Sequence, residues 1–350
     1  MRHGEHSCKM LACENEFQTR QHAPLFKMKN LVIGDLHVSA SNLSEVQPVL
    51  DDIVEQVRLE QPDEVVVLGD VFDKFQNVHV SCLRVVTKFI MDLLHMCKGD
   101  VWVLAGNHDR PNNTHFLTDE HPFHGLQNTP HLNIVATKAV RAGDNLYVPY
   151  VPDGRFHEAI GASGLDMIGV KCVFAHQMWI GLNLGHHISE SGDVWASDAP
   201  MLFNGHIHGY QVFQPNLVCA GASWQILYSD SHDRALLLVD DSGASVTHRR
   251  IRLPHAPHKL TLELTCDELK MWKRSNASDQ VHIKLRGTLA DIQTTLKSVK
   301  LPTGVRVSMH RAVSTDTPVH VTSHHTTFEE HVRNAIKHNP TLLQHHNMHF

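Results

Sequence analysis

The sequence lacks the cysteine spacing of zinc-binding and redox sites. Its seven cysteines are an odd number and include no Cys-x-x-Cys pair, so we expect reduced, buried thiols rather than a disulfide framework. Long hydrophobic runs are also missing: no apolar stretch approaches the length of a transmembrane helix, and the N-terminal residues supply no signal-peptide apolar region. We therefore expect a cytoplasmic protein that does not enter a membrane.

Length and apolar periodicity predict a folded protein with helices and sheets. The 350 residues correspond to about two domains, and a hydrophobic content of 42% allows a substantial core. Apolar residues recur at helical spacing over residues 43–57 until Pro62, and again over residues 83–94 until Gly99. Short apolar strands alternate with these helices, and later segments are rich in strands. This order predicts an α/β fold, a sandwich of two sheets flanked by helices.

The C-terminal third predicts a small α+β accessory domain. Pro254 and Pro257 mark a linker, and a β-α-β-α-β pattern follows them. We therefore divide the chain into a flexible N-terminal extension (1–29), a catalytic domain (30–253), a basic accessory domain that caps DNA (258–312), and a linker with a partner-binding tail (313–350).

Five short polar segments each follow an apolar, strand-like run. They are residues 34–37, 69–70, 106–109, 175–177 and 205–208. If the preceding strands lie side by side, their carboxyl ends present all five segments at one rim, where open α/β sheets build ligand sites. Any one segment taken alone is typical of a turn. Their joint occurrence in order favours a single functional site.

The side chains of these segments suit two divalent metal ions. Carboxylates, an amide and imidazoles occur without a thiolate, which fits manganese best and leaves zinc, iron or magnesium possible. Asp70 lies in the middle of the series and is the expected bridging carboxylate. The other predicted ligands are Asp35, His37 and His208 for one ion, and Asn107, His176 and His206 for the second.

Two further residues, His108 and Asp109, are predicted to take part in catalysis. His108 follows the predicted ligand Asn107, and its imidazole could protonate a leaving oxygen or hydrogen-bond the phosphoryl oxygens. Asp109 could fix the tautomer of His108. Two ions about 3.5–4 Å apart can clamp a phosphoryl group, acidify a water and stabilise the attacking and leaving oxygens. The pattern therefore predicts phosphoester hydrolysis.

The segments stand in the order Asp35-x-His37, Gly69-Asp70-x-x-Asp73, Gly106-Asn107-His108-Asp109, His176 and Gly205-His206-x-His208. This set resembles the calcineurin-like metallophosphoesterases over about half of the chain. A finer resemblance rests on residues 69–73, 147–150, 174–177, 205–211 and 221–223. In these residues the chain is similar to the nuclease subunit of the SbcC–SbcD type and its phage relatives.

The finer resemblance implies a manganese-dependent DNA exonuclease and endonuclease that acts in recombination or end processing with an SbcC-like ATPase. Two alternatives stay open. One is a calcineurin-like phosphodiesterase or phosphatase that acts on a small molecule or a phosphoprotein. The other is a non-catalytic DNA-repair scaffold, which an intact His108 and a full set of ligands argue against. The sequence also leaves a homodimer possible.

Charge and the C-terminal tail indicate where partners would bind. Residues 249–311 hold 13 Lys and Arg against 5 Asp and Glu, a balance of +8, while the whole chain carries −6. This asymmetry fits sequence-independent contact with a DNA backbone, and a solvated basic surface is the alternative. In the tail, Thr327 could cap a short amphipathic helix that ends at Pro340. That helix could dock on an SbcC-like ATPase or fold back on its own chain.

Overall fold

The computed structural model describes residues 28–311, apart from residues 76, 186 and 244. The predicted extension up to residue 27 and the tail from residue 313, with its predicted helix, lie outside the described residues. Lys29, which we had placed in the extension, instead begins the first strand. No helix in the described part of the chain has both the length and the apolar character needed to cross a membrane.

Three sheets and five α-helices make up the described chain. The strands, in chain order, are β1 (Lys29–Ile33), β2 (Glu64–Val67), β3 (Val101–Leu104), β4 (Leu132–Val135), β5 (Val140–Ala142), β6 (Asn145–Val148), β7 (Cys172–Ala175), β8 (Met201–Asn204), β9 (Gln211–Gln214), β10 (Leu217–Cys219), β11 (Leu236–Asp240), β12 (Thr247–Ile251), β13 (Lys259–Thr265), β14 (Gln280–Gly287) and β15 (Val305–Arg311). The helices are α1 (Leu43–Glu60), α2 (Val80–Met96), α3 (Phe156–Ala162), α4 (Cys266–Met271) and α5 (Leu289–Ser298), with a 3₁₀ turn at His124–Leu126.

Two six-stranded sheets form a sandwich with helices outside it, as the sequence predicts. The first sheet has the order β12-β11-β1-β2-β3-β4 and the second has the order β5-β6-β7-β8-β10-β9. Strands β1 to β4 run parallel, and α1 and α2 are the crossovers that join the first three of them. β6, β7, β8 and β10 are parallel in the second sheet. The predicted α/β class is therefore confirmed.

The central strands are apolar throughout because both of their faces are covered. In β2, Val65 and Val67 pack into the core under α1 and α2, whereas Val66 packs into the core between the sheets. A third core lies on the outer face of the second sheet, against α3. Parallel strands buried on both faces lose the alternation of polar and apolar residues that exposed sheets show. Their polar residues therefore stand directly after the strands.

The C-terminal strands form a separate parallel sheet in the order β13-β14-β15, with α4 and α5 packed on it. This confirms the predicted β-α-β-α-β pattern. The predicted linker is held in place, because the main-chain N–H of His255 donates to Asp52 of α1 at 2.6 Å. Lys259 at the start of β13 also pairs with Glu45, with Nζ 2.9 Å from the carboxylate. The third sheet is thus attached to the first helix of the sandwich.

Candidate metal centre

The predicted site residues meet where strands from both sheets of the sandwich end. β1, β2 and β3 are neighbours in the first sheet, while β7 and β8 are neighbours in the second. The five strands are thus divided between the two sheets of the predicted sandwich. The sheets pack face to face, and the carboxyl ends of these strands meet at one rim. The rim thus holds the predicted residues, which come from two facing sheets.

One cluster contains the three residues that we assigned to the first ion. Ligand atoms of Asp35, His37 and His208 lie within 4.8 Å of one another. Nε2 of His208 is 3.1 Å from Nε2 of His37 and 4.0 Å from Oδ2 of Asp35. Asp35 and His37 are buried, and His208 is partly exposed. The cluster is therefore enclosed by protein at Asp35 and His37 and is accessible to solvent at His208.

A second cluster contains the residues that we assigned to the other ion. Asp70, His176 and His206 bring their ligand atoms within 4.8 Å of one another. Oδ1 of Asn107 lies 3.0 Å from Nε2 of His176 and 2.8 Å from Nδ1 of His206. The structure thus brings all seven predicted ligands together. Which ion each of them binds stays a prediction.

Asp70 connects the two clusters. Its Oδ2 lies 3.6 Å from Nε2 of His37 and 3.3 Å from Nε2 of His176, so a single carboxylate oxygen faces an imidazole of each cluster. Its other oxygen, Oδ1, accepts the main-chain N–H of His108 at 2.8 Å. This is the position that a bridging carboxylate requires.

The electrostatics of the clusters couple protons to cation binding. Burial opposes the protonation of His176, but the carboxylate of Asp70 outweighs it and raises the pKa of His176 to about 9. Burial and the neighbouring His176 lower the pKa of His206 to about 4. Ligating imidazoles are neutral, so a divalent ion bound here would displace the His176 proton.

Two observations show that the residues fit divalent cations. Oδ2 of Asp35 is buried without a hydrogen-bond partner among the described residues, although an unpaired buried carboxylate oxygen is costly. The ring nitrogens of His37 and His208 face each other at 3.1 Å, and so do those of His176 and His206 at 3.3 Å. Two lone pairs at this distance repel unless a proton or a cation lies between them. Cations would therefore satisfy both features.

Groups behind the ligands hold the imidazoles in orientation. Nδ1 of His176 lies 2.8 Å from the main-chain O of Leu68, which can only accept, so Nδ1 carries a proton and the neutral ring keeps its Nε2 lone pair for a ligand role. Nδ1 of His37 faces the Asp73 carboxylate at 3.5 Å. Sequence reasoning did not assign these orienting roles, although Asp73 belongs to the Gly69-Asp70-x-x-Asp73 pattern.

A further carboxylate, Asp230, lies 3.9 Å from Nδ1 of His208. It comes from the loop after β10, where residues directly following Ser223 are not acidic. The main-chain N–H groups of Ile226 and Leu227 donate to Asp230 at 3.0 and 2.9 Å, which folds the loop back towards the site. No residue spacing in the sequence predicts that Asp230 lies close to His208.

Three site residues have a left-handed backbone that side chains rarely adopt. The φ angles are +47° for His37, +48° for Asp70 and +72° for His206. Such conformations cost about 1–3 kcal/mol each and persist only where surrounding structure enforces them. Here the main-chain O of Asp70 accepts the N–H of His37 at 2.9 Å, which ties two of these residues together. Three of the seven left-handed non-glycine residues in the described chain therefore lie at the rim.

His108 stands at the edge of the centre, and its orientation differs from our prediction. Its Nδ1 lies 2.7 Å from the main-chain O of Asp73, so Nδ1 donates and Nε2 remains free to act on a substrate. Its ring stacks on Phe75 with 4.3 Å between centroids. Ligand atoms of His108, His37 and Asp70 also lie within 4.8 Å of one another. His108 is thus close enough to reach a group bound at the metals.

Asp109 does not orient His108, which corrects our expectation. Its carboxylate accepts three main-chain N–H groups, from Val71 at 3.2 Å, Phe72 at 2.9 Å and Gly106 at 3.1 Å. Burial and the charge of Asp70 raise the pKa of Asp109 to about 7. Asp109 therefore fastens the loop after β2 to the loop after β3. It is a positioning residue for Asp70 and Asn107.

Arg110 and Tyr150 border the site and were not assigned a role from sequence. Nη1 of Arg110 donates to the main-chain O of Tyr150 at 2.5 Å, while Nε and Nη2 have no partner among the described residues. The Tyr150 ring lies 6.0 Å from the ring of His206. The buried Arg110 guanidinium is thus linked through Tyr150 to the edge of the second cluster.

Comparisons with known proteins agree with this geometry. The calcineurin-like phosphoesterase family matches residues 28–221, which include every predicted ligand. The chain is 32% identical over 215 residues to 244L of Invertebrate iridescent virus 6, a match that covers 60% of this chain and 75% of the viral protein. It is 33% identical over 211 residues to 078R of Invertebrate iridescent virus 3, covering 59% of this chain and 60% of that protein. Both relatives are described as candidate phosphoesterases.

With two histidine-carboxylate clusters sharing one carboxylate and a family match over more than half of its length, the chain belongs to the calcineurin-like phosphoesterases, a fold that uses divalent metal ions.

Proposed function

We propose that this phosphoesterase is a DNA nuclease that hydrolyses phosphodiester bonds with two manganese ions. One observation carries the proposal: Oδ2 of Asp70 lies between His37 and His176, at 3.6 and 3.3 Å, while Oδ1 of the same carboxylate accepts the N–H of His108. The two ligand clusters and the main chain of His108, the proposed proton donor, therefore meet at one carboxylate. That arrangement suits cleavage of a bond whose leaving group needs a proton.

The residues of the chain divide the work of hydrolysis. Divalent ions held by the two clusters would supply the charge that clamps a phosphoryl group and acidifies a water. Asp70 holds the two ligand clusters at a fixed separation, and Asn107 contributes a neutral oxygen to the second cluster. His108 keeps its proton-bearing Nδ1 on the Asp73 carbonyl, so its Nε2, when protonated, can pass a proton to the leaving oxygen.

The third sheet supports DNA as the substrate, with fewer available charges than the sequence indicates. Arg286 pairs with Glu263, and Arg274 donates to the main-chain O of Thr303 at 2.7 Å. Lys273, Lys297 and Lys300 are exposed, and their side chains make no hydrogen bond or ion pair to any other described residue. Exposed, unpaired lysines are the groups that contact phosphates without reading bases.

A cleavage assay tests the substrate class. The protein, supplemented with manganese, is given linear duplex, hairpin and single-stranded DNA, with bis(p-nitrophenyl) phosphate for comparison. We expect manganese-dependent cleavage of DNA at a rate that exceeds hydrolysis of the small diester. Hydrolysis of the small diester alone would favour the alternative, a phosphodiesterase acting on a small molecule. Release of phosphate only from monoesters would favour a phosphatase.

We also propose that an SbcC-like ATPase is the partner, which the finer sequence resemblance implies. The predicted contact, a helix that begins at Thr327 and ends at Pro340, belongs to the tail. Deleting residues 327–350 should leave hydrolysis of bis(p-nitrophenyl) phosphate intact and abolish co-purification with the ATPase and ATP-stimulated DNA cleavage. Full co-purification of the truncated chain, or its unfolding, would overturn this assignment.

A further inference from the structure

A cleft of about 690 Å³ opens beside His108, outside the two metal clusters. Its apolar walls are Phe75 and Pro111, and polar groups of Lys74, Asn77 and Asn113 stand around them. Phe75 and Pro111 are partly buried, whereas Lys74, Asn77 and Asn113 are exposed. The cleft therefore combines flat apolar surface with polar groups at its edge, which is the composition of a small-molecule subsite.

The cleft is connected to the metal centre through two contacts. Phe75 stacks on the ring of His108, with 4.3 Å between centroids and 26° between planes. Nδ2 of Asn107 donates to Oδ1 of Asn113 at 3.4 Å, so a predicted metal ligand reaches the edge of the cleft. The cleft thus lies on the side of the centre where His108 stands. A leaving group that accepts a proton from His108 would depart towards it.

The polar groups around the cleft are free to bind a ligand. Among the described residues, the side chains of Lys74 and Asn77 make no hydrogen bond or ion pair, and neither does Nδ2 of Asn113, although the charge of Lys74 also acts on the Asp73 carboxylate, which lines the same cleft. The amide of Asn112 is different, because its Oδ1 accepts the main-chain N–H groups of Thr114 at 2.9 Å and His115 at 3.2 Å. Asn112 therefore shapes the loop, and the other three present donors to the cleft.

We propose that this cleft binds the nucleobase of the leaving nucleoside, an inference that rests on the proposed nuclease function. An aromatic ring and a proline provide the flat surfaces on which any base stacks. Asn77 and Asn113 offer amides that hydrogen-bond base edges, and Lys74 supplies a cation for the neighbouring phosphate. Stacking tolerates every base, so the cleft would position the scissile bond with weak base preference.

A double comparison tests the inference. Thymidylyl-thymidine is compared with the same compound in which a tetrahydrofuran abasic analogue replaces the leaving nucleoside, using wild type and Phe75→Ala. We expect removal of the base to lower kcat/KM about tenfold or more in the wild type, the scale of base–aromatic stacking, and less than about twofold in Phe75→Ala. Phe75→Trp should restore the wild-type ratio because it keeps a stacking surface.

The ratio of kcat/KM for thymidylyl-thymidine to kcat/KM for the abasic compound distinguishes two roles of Phe75. One role is stacking on a base, and the other is holding His108 in place. If Phe75 only orients His108, Phe75→Ala slows both compounds equally, the ratio stays at its wild-type value, and the inference is wrong. Phe116 provides a matched control, since this half-buried ring outside the cleft lies under the Arg155 guanidinium at 3.7 Å. Phe116→Ala should keep the wild-type ratio.

A second readout measures binding without turnover. Fluorescence anisotropy of a labelled oligonucleotide in EDTA should show tighter binding to the wild type than to Phe75→Ala, with the difference lost when the terminal nucleotide is abasic. Equal cleavage of base-containing and abasic compounds by the wild type would overturn the cleft assignment alone. Failure to cleave either compound, with metal-dependent hydrolysis of bis(p-nitrophenyl) phosphate retained, would overturn the proposed nuclease function and the cleft assignment together.

Discussion

At the scale of single residues, Asp70 is the carboxylate on which both metal clusters depend. Asp70→Asn removes a negative charge that faces His37 and His176, so we expect weaker metal binding and near loss of hydrolysis. Calorimetric titration with Mn²⁺ and turnover of bis(p-nitrophenyl) phosphate measure the two effects. Undiminished turnover at saturating manganese would show that Asp70 does not bridge the ions.

His108 should give a different result because it stands beside the clusters. His108→Gln removes the ring that donates Nδ1–H to the Asp73 carbonyl and presents Nε2 to the substrate. We expect kcat to fall roughly a hundredfold or more, the scale of a lost acid or base, with manganese affinity little changed. If calorimetry shows metal loss in proportion to the loss of rate, His108 is a metal ligand.

Two residue assignments illustrate the limit of sequence reasoning. The proximity of the seven predicted ligands could be anticipated because each of their segments follows an apolar run and offers a donor atom suited to a metal ion. The orienting partner of His108 could not, because the adjacent Asp109 carboxylate is used by the main-chain N–H groups of Val71, Phe72 and Gly106, and a main-chain carbonyl takes its place. Every residue has a main-chain carbonyl, so the sequence does not indicate which carbonyl accepts the hydrogen bond from His108. Asp230 likewise reaches His208 only through the folding of its loop.

At the scale of elements, the loops after β2 and β3 are in direct contact, and glycine permits it. A Cβ at Gly106 would lie 2.2 Å from Oδ1 and 2.3 Å from the main-chain N of Asp70. Gly106→Ala must therefore displace Asp70, and we expect a lower Tm together with weaker manganese binding. Gly125→Ala is the matched control, since its Cβ would meet nothing within 4 Å. A normal manganese affinity in Gly106→Ala would show that the loops adjust without moving Asp70.

Contact between the two sheets includes one buried carboxyl whose ionisation should destabilise the fold. Glu64 at the start of β2 accepts the hydroxyl proton of Tyr147 in β6 at 2.7 Å. Burial raises the pKa of Glu64, despite this hydrogen bond. A folded-state pKa above the unfolded value means that stability is greatest below the unfolded pKa and falls as pH rises through the folded one.

Glu64→Gln keeps an acceptor for Tyr147 and removes the ionisation. We expect the variant to have a higher Tm than the wild type at pH 8, with the difference shrinking towards pH 4.5. Thermal unfolding followed by circular dichroism at the two pH values measures this. The exposed Glu190 is the control, because Glu190→Gln should change the Tm little at either pH. A gain for Glu64→Gln that is the same at both pH values would mean that its cause is not ionisation.

Element type was predictable where local pattern decides it, and element pairing was not. α1 and α2 follow from helical spacing, and β1 to β3 follow from apolar runs. Short strands such as β5, three residues of intermediate burial, were missed because they have no alternation long enough to detect. The packing of the second sheet on the first includes contacts such as that of Tyr147 with Glu64, which are 83 residues apart in sequence.

At the scale of the whole molecule, the site exists because two sheets share one core. Trp102 of the first sheet stacks on Tyr147 of the second with 3.9 Å between centroids, and Tyr147 lies 5.3 Å from Phe174. This aromatic layer fixes the distance between the sheets. Predicted ligands that come from both sheets, such as Asp70 and His176, therefore keep their separation.

The third sheet gives the last prediction, which concerns DNA affinity rather than chemistry. Lys273→Gln, Lys297→Gln and Lys300→Gln together remove three exposed, unpaired charges, and the structure favours these lysines over Arg274 and Arg286, which have partners. We expect weaker duplex binding and a flatter dependence of log K on log salt, because fewer counterions are released. Fluorescence anisotropy over a range of salt concentrations measures both.

The matched control removes the same charge from the sandwich. Arg84, Lys98 and Lys138 are exposed, and their side chains also make no hydrogen bond or ion pair among the described residues. Replacing these three by glutamine should leave the salt slope near its wild-type value, and neither triple variant should lose hydrolysis of bis(p-nitrophenyl) phosphate. If both variants weaken DNA binding equally, net charge alone attracts the duplex. If neither does, the basic third sheet serves solubility, and DNA is bound elsewhere on the protein.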